Sequence, residues 1–470
     1  MRGINFFFEI NKIFKRGASI MKEQPFKTKL IYFMLSFLLL FLTLNLSALE
    51  TEPCIKVEPA TQLFGIPPSI KVVNLKAGES VTIRAHSKDG LGVDWESMAT
   101  YTADKVGVVD LEKHSPVSGD YTGVDPLGLL WSMKPVTLKN NRVRPYHFEN
   151  LDAIVIQLRA ETSSGKLATA EIKRFFQLPS TELLCTPIEH EELEGILCHP
   201  SDKGPYPCIM LLGGSGGGQE EWWAKVIASN GFAALTLAYF NYENLPQELM
   251  EIPLEYFQKA LAWLKSQKAV DSERIAVMGG SKGGELALLL GATYSDIKAV
   301  VACVPSGVVW QGISRQKFGS SWSLNGKGLD YVQWQFSSED LQKYQLGQSV
   351  SLLKTYSLEE IDPDVLEKAT IPVEKINGPI LLVSGTDDQM WPSSRFSDLV
   401  MERLEKYNHS YERIHLRYEG AGHLVFLPMF MTGGNRMAIP FMFGGTAKAD
   451  AHSSVDFWSK MLSFLHKHLD

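Results

Sequence analysis

Hydrophobic and polar positions change rhythm part-way along this chain. From Cys54 to about Phe176 the apolar residues recur in short alternating runs, such as Ile70–Leu75, Val81–Ala85, Ile154–Leu158 and Ala168–Phe176, separated by Gly, Asp and Asn. Period-two alternation punctuated by turn residues predicts a small all-β sandwich over 54–177. Residues Leu178 to about Glu194 read as a bridge. From about Gly195 short continuous apolar runs alternate with helical patterns: strand 207–212, helix 219–229, strand 232–238, helix 254–266, strand 274–278, helix 283–292 and strand 297–303. Continuous apolar strands separated by helices are the pattern of a parallel sheet buried on both faces. Residues 304–372, rich in Trp, Gln, Ser and Gly, interrupt it and are expected to form an insertion over the active site. The sheet resumes at 379–384, and Trp458–Leu469 reads as a closing helix.

The sharpest local signal is Gly279-Gly280-Ser281-Lys282-Gly283, a Gly-x-Ser-x-Gly turn between the apolar strand Arg274–Met278 and the helix that begins near Glu285. A strand–turn–helix context is what a nucleophile elbow requires. The backbone reverses so tightly that the serine is strained, and a Cβ at 279 or 283 would clash with the facing strand or helix. The turn puts Ser281 at a helix N-terminus, where unpaired N–H groups favour developing negative charge. A serine hydroxyl needs a base and an orienting acid, which in α/β-hydrolases follow in that order along the chain as acid and then histidine. Strand Ile380–Ser384 leads into Gly385-Thr386-Asp387-Asp388, and strand Arg413–Tyr418 leads into Glu419-Gly420-Ala421-Gly422-His423. Ser281, Asp388 and His423 are therefore the expected triad. The residues alone leave Asp387 and Asp388 as alternatives, with the other expected to cap the following helix.

A second glycine cluster, Gly213-Gly214-Ser215-Gly216-Gly217, closes the apolar strand Cys208–Leu212. It resembles loops that donate one backbone N–H to an oxyanion hole, so an amide at Gly214 or Ser215 is expected to act beside that of Lys282. A dinucleotide loop is the competing reading, but the Gly-x-Gly-x-x-Gly frame is unconvincing and no acidic residue closes the next strand, Phe232–Ala238. No Gly-Lys-Ser or Gly-Lys-Thr follows. The Lys282 side chain is read as solvated at a helix start, with pairing to a substrate phosphate as the alternative. His452 is not counted among the site residues, although its position is compatible with lying near them. His86, His114 and His147 lie outside the catalytic half without evident partners, and His190, His199, His409, His415, His466 and His468 are read as surface or loop residues.

Composition narrows the function classes. With 470 residues the chain is long enough for two domains, and a formal net charge of −7 argues against a dedicated nucleic-acid binder. Five cysteines in no metal-ligand spacing make a structural zinc site improbable. Cys208 and Cys303 fall in apolar strands and read as buried; Cys185 and Cys198, close in sequence, are the pair to test for a disulfide. Lys22, Lys27 and Lys29 precede the apolar stretch 30–46, and Ala48 could end a signal peptide, with Met21 a candidate start. Residues 1–48 are thus expected to be an extension plus a signal peptide or membrane anchor, which places the protein outside the cytosol unless the segment is unused.

Taken together, Val57–Ala60, the long stretch Asp120–Met133, Gly213–Gly217, Ala238–Phe240, Pro253–Phe257, Gly280–Leu286 and Gly420–Leu424 resemble, in order, the acyl-CoA thioesterase and bile acid-CoA:amino acid N-acyltransferase family. The resemblance spans both domains and favours Asp388 over Asp387. It implies an α/β-hydrolase C-terminal domain behind a smaller β-sandwich, no cofactor beyond the CoA of the substrate, and a small-molecule acyl thioester as substrate. Family transferases carry Cys at the elbow and thioesterases carry Ser, so Ser281 implies hydrolysis. An exported carboxylesterase with the same triad, an N-acyltransferase, and a non-catalytic binding protein are the competing readings. Acyl-CoA is a cytosolic metabolite, so an export signal implies other thioesters or esters, or an anchor of unusual topology.

Overall fold

In the computed structural model, residues 33–35, 52–136, 145–147, 153–202, 204–428, 431–434, 437–438 and 440–470 are described. The chain divides into two units, Met1–Glu52 and Pro53–Asp470. Of the first unit, the helical residues Phe33–Leu35 are described, so the apolar stretch 30–46 otherwise lies outside the described residues. Among those residues, no helix is long and apolar enough to cross a membrane.

The second unit opens with two β-sheets. A three-stranded sheet holds Cys54–Glu58, Ser69–Val73 and Val109–Asp110. A seven-stranded sheet is built on the long antiparallel strands Ser80–Lys88, Asp94–Thr102, Ile154–Thr162 and Leu167–Phe175. Along Asp94–Thr102 every second side chain is buried, with Trp95 and Tyr101 fully enclosed, as alternation along a half-buried strand demands. The inner faces of the two sheets share one core, to which Ile70, Val72, Ile83 and Ile156 contribute.

The second sheet system is an eight-stranded sheet with strands β1 (Leu183–Pro187), β2 (Glu194–Pro200), β3 (Tyr206–Leu212), β4 (Ala233–Ala238), β5 (Val270–Gly280), β6 (Ile297–Cys303), β7 (Ile380–Gly385) and β8 (Arg413–Tyr418). Their order is 1-2-4-3-5-6-7-8. β2 runs antiparallel to both β1 and β4, and all other neighbours are parallel. Crossover helices α1 (Glu221–Ala228), α2 (Leu254–Ser266), α3 (Lys282–Thr293) and α4 (Ser393–Lys406), with the closing helix α5 (Ala447–Leu469), complete an α/β-hydrolase architecture. Alternate residues of the central strands serve opposite faces. Ile209, Met278 and Val301 pack with α1 and α5 in a core continuous with that of the β-sandwich. Met210, Val277 and Val300 pack with α2 and α3.

Three boundaries differ from the sequence reading. β1 lies inside the stretch read as a bridge, where Cys185 pairs opposite Cys198 in a hairpin and forms a disulfide with it. β5 is longer than 274–278 because its polar first half, Val270–Arg274, carries no apolar run. The closing helix starts at Ala447 rather than Trp458. Its first three turns bury small and polar residues, Asp450, Ala451, Ser453 and Ser454, which give no apolar period. The insertion 304–372 contains two short strands, Trp322–Leu324 and Lys327–Gly328, and two helices, Ser338–Gln345 and Pro363–Ala369. Trp310 and Trp322 within it are fully buried.

Candidate active site

The elbow between β5 and α3 holds Ser281 at φ 58° and ψ −120°, a left-handed conformation for a residue with a side chain. The turn closes because its glycines have no Cβ: one at Gly279 would land on the Gly283 carbonyl, and one at Gly283 on the carbonyls of Leu212 and Gly213. The Ser281 amide donates to the Cys303 carbonyl at 2.9 Å, which fixes the strained residue to the end of β6.

His423 and Asp388 come from the loops after β8 and β7. The His423 Nε2 lies 2.9 Å from Ser281 Oγ, and its Nδ1 lies 2.8 Å from Asp388 Oδ2. Both partners are almost wholly enclosed, His423 at 4% exposure and Asp388 at 3%. The second Asp388 oxygen accepts the amides of Met390 and Trp391 at 2.9 and 3.4 Å. The neighbouring carboxylate faces elsewhere: Asp387 accepts the Gly445 amide at 3.0 Å and the Gln389 side chain at 2.7 Å. Neither aspartate caps α4, whose N-cap is Pro392, so that expectation is corrected. The loop's backbone is occupied by a strip that the sequence did not single out: the Phe443 carbonyl accepts from both His423 and Gln389, at 2.9 and 3.3 Å. The ring of Phe443 stacks on the imidazole at 6.3 Å.

Below that loop lies Asp450, 2% exposed, with Oδ1 accepting the Gly422 amide at 2.8 Å. Burial pushes its carboxyl up to about 7, and the charges of Asp387 and Asp388 push the same way against the Gly422 hydrogen bond.

The glycine loop after β3 approaches from the other side. A Cβ on Gly214 would sit 3.3 Å from the Ser281 Cβ, so this backbone passes directly beside the Ser281 side chain. Tyr239 donates its hydroxyl to the Gly213 carbonyl at 2.5 Å. The amide of Lys282 is the first of α3, a position for which a helix supplies no backbone acceptor of its own. Ser215, Ser281 and Lys282 line a cavity of about 250 Å³ together with Trp334, Phe336 and Tyr356 of the insertion. The insertion therefore covers the site, as its position in the chain suggested.

Lys282 departs from expectation. Its side chain is 3% exposed rather than solvated, and Nζ lies 2.7 and 2.8 Å from the two oxygens of Glu285, itself fully buried. Residues three apart share a helix face, which brings the pair together, and Trp322 of the insertion seals it. Burial lowers the lysine and raises the glutamate, while their mutual attraction opposes both shifts. The detectable signal was a charged residue opening an otherwise apolar helix, Glu285-Leu-Ala-Leu-Leu-Leu.

His452 is not at the site: its Nε2 lies 2.9 Å from Asp125, which ties α5 to the one-turn helix Gly128–Trp131. Trp391 lines the cavity, and Trp310 is core. Trp131 donates to Asp125 at 3.1 Å. Cys208 and Cys303 are buried and free. Among the described residues, no group of three or more His, Cys, Asp and Glu side chains is placed to hold a metal ion.

Two family models match in order. The acyl-CoA thioester hydrolase/BAAT N-terminal region covers residues 66–185, and the BAAT/acyl-CoA thioester hydrolase C-terminal region covers 252–470. Acyl-coenzyme A amino acid N-acyltransferase 2 of Mus musculus is 31% identical over 423 residues, 87% of this chain and 96% of its own. Acyl-coenzyme A thioesterase 6 of Homo sapiens is 31% identical over 433 residues, covering 88% and 96%. Acyl-coenzyme A thioesterase 1 of Homo sapiens is 31% identical over 422 residues, covering 88% and 96%. With both regions present in order and similarity running through nearly the whole length of these relatives, the chain belongs to the acyl-CoA thioester hydrolase/BAAT family.

Proposed function

We propose that this protein hydrolyses acyl-CoA thioesters through an acyl-serine intermediate, with Ser281, His423 and Asp388 as its catalytic triad. The observation that carries the reading is the continuous hydrogen-bond path from Asp388 through His423 to Ser281, which lines a cavity together with aromatic side chains. In this mechanism His423 Nε2 takes the hydroxyl proton as Ser281 Oγ attacks the thioester carbonyl, and Asp388 holds the imidazole tautomer. The oxyanion is met by the Lys282 amide and an amide at Gly214 or Ser215, each donor worth about 3 kcal/mol. Collapse breaks the C–S bond, and the CoA thiolate leaves with the proton from His423. Water then attacks the acyl-serine, giving its proton to His423, and the free acid departs as Ser281 is reprotonated.

The relatives carry both thioesterase and N-acyltransferase names, so family membership alone does not choose between water and an amine as acceptor. Serine favours water: an acyl-serine is an oxygen ester, less reactive towards amines than the thioester a cysteine would form. Thiol release is to be measured from acyl-CoAs of graded chain length, and beside them p-nitrophenyl esters, with and without glycine or taurine. Turnover of acyl-CoA that the Ser281→Ala variant abolishes supports the reading. An amide product would assign transfer, and ester turnover alone would assign an esterase. No serine-dependent turnover would remove all three.

We also propose that residues 22–48 export or anchor the protein. The basic residues ahead of the apolar stretch 30–46 support this, and so does the Cys185–Cys198 disulfide, a bond favoured in oxidising compartments. Cell fractionation with a tagged chain tests it; a reduced, cytosolic protein that keeps residues 22–48 would refute it.

A further inference from the structure

We propose that Glu285 is a positioning residue that holds both sides of the oxyanion site, and the insertion above them, in one arrangement; this rests on the hydrolase reading above.

Its carboxylate is fully buried and collects donors from three places. Lys282 contributes its ammonium at 2.7 and 2.8 Å, the Trp322 indole N–H donates at 2.8 Å, and the Trp310 amide at 3.4 Å. The first of these is the side chain of the residue whose amide would meet the oxyanion. The second reaches the opposite side of the site. The Trp322 ring packs 5.9 Å from that of Tyr239, whose hydroxyl holds the Gly213 carbonyl, one residue before Gly214. Lys282 Nζ also lies 5.5 Å from the Trp322 ring centroid, closing the circuit. Trp310 continues outwards: its ring meets Tyr356 at 4.9 Å, Tyr356 meets Trp391 at 5.5 Å, and both Tyr356 and Trp391 line the cavity.

Energetics favour a geometric role over a stabilising one. A buried ion pair is commonly no better for stability than apolar side chains of the same volume, because both charges lose their hydration. Oxyanion donors, by contrast, are effective only within about 2.7–3.1 Å of the developing charge, and a misplacement of about 1 Å can lower the rate by about 100-fold. One carboxylate that ties the first turn of α3, the glycine loop and the insertion together supplies that accuracy.

The test uses the full chain and three variants. Glu285→Gln keeps shape and an acceptor but removes the charge; Trp322→Phe removes one N–H; Tyr239→Phe removes the hydroxyl at Gly213. For Glu285→Gln we expect kcat on acyl-CoA to fall about 10- to 100-fold with KM within about twofold. For the two aromatic variants we expect a fall of about 3- to 10-fold with the same split. Affinity for a trifluoromethyl ketone analogue, which forms a tetrahedral adduct, should fall in step with kcat. Affinity for a non-hydrolysable acyl-CoA thioether should stay unchanged. Unaltered kcat in folded variants, or analogue affinity that does not follow kcat, overturns the proposal. If Glu285→Gln does not fold, the two aromatic variants decide alone. Absence of Ser281-dependent turnover in the wild-type chain is instead a failure of the hydrolase reading, and this proposal falls with it.

Discussion

Replacing Asp450 by Asn should make the protein more stable in alkali while leaving it nearly unchanged in acid. Asp450 is 2% exposed and accepts one amide, from Gly422, with Asp387 and Asp388 as its like-charged neighbours. Its carboxyl is raised from 3.8 to about 7, so between those values the folded state keeps a proton that the unfolded state has lost. The folded protein then binds more protons, and stability falls as pH rises through this window. At about 1.4 kcal/mol per pKa unit, the whole shift corresponds to roughly 4 kcal/mol, of which about 2–3 kcal/mol develops between pH 5 and pH 8. Asparagine keeps an oxygen for the Gly422 amide and removes the titration. Urea unfolding of wild type and Asp450→Asn at pH 5 and pH 8 reads the difference directly. The gap between the two proteins should widen in favour of the variant by about 2–3 kcal/mol on going from pH 5 to pH 8. A gap that does not change with pH would show that Asp450 ionises freely in the folded state, and the burial argument would be wrong.

The two adjacent aspartates should separate by kinetics. Asp388→Asn is expected to lower kcat by about 10⁴-fold, as loss of the orienting acid does elsewhere, whereas Asp387→Asn should cost far less because that carboxylate faces Gly445. Equal losses would contradict the assignment. Reducing the Cys185–Cys198 disulfide should destabilise the chain by about 2–3 kcal/mol, seen as a lower urea midpoint, since it closes a loop between residues 13 apart at the sheet edge. An unchanged midpoint would refute this. Asp125 works in the opposite pH sense to Asp450. Although burial alone would raise it, hydrogen bonds from His452, Trp131 and Lys448 lower its carboxyl to about 2. Its contribution of about 2 kcal/mol is present above pH 3.8 and lost as pH falls towards 2, so Asp125→Asn should flatten the acid limb of the stability curve.

Features confined to a few neighbouring residues were legible in the chain itself. The elbow is one: the demand for no Cβ at Gly279 and Gly283 is met or failed within five positions, and the strand before and helix after it are continuous apolar runs. The order of strands and helices around Ser281, and the alternation of the β-sandwich, were legible for the same reason, because period and turn chemistry are local. The loops that carry Asp388 and His423 were also identified by where their strands end.

What only the tertiary structure decided depends on partners far along the chain. Asp387 and Asp388 are chemically identical neighbours, and their roles separate because the strip Phe441–Gly445 supplies an amide to one while the imidazole reaches the other. Lys282 and Glu285 stand at a spacing compatible with a solvated surface pair; Trp322, 37 positions beyond Glu285, turns them into a buried one. Asp450 sits in a stretch of small polar residues with no apolar period, and its raised carboxyl follows from the fold of α5 under the His423 loop. Local sequence sets backbone geometry and periodicity, but the dielectric and hydrogen-bond partners of a side chain come from whatever the fold packs against it. That is why the elbow around Ser281 was readable from five residues, while the surroundings of Lys282, Glu285 and Asp450 were not.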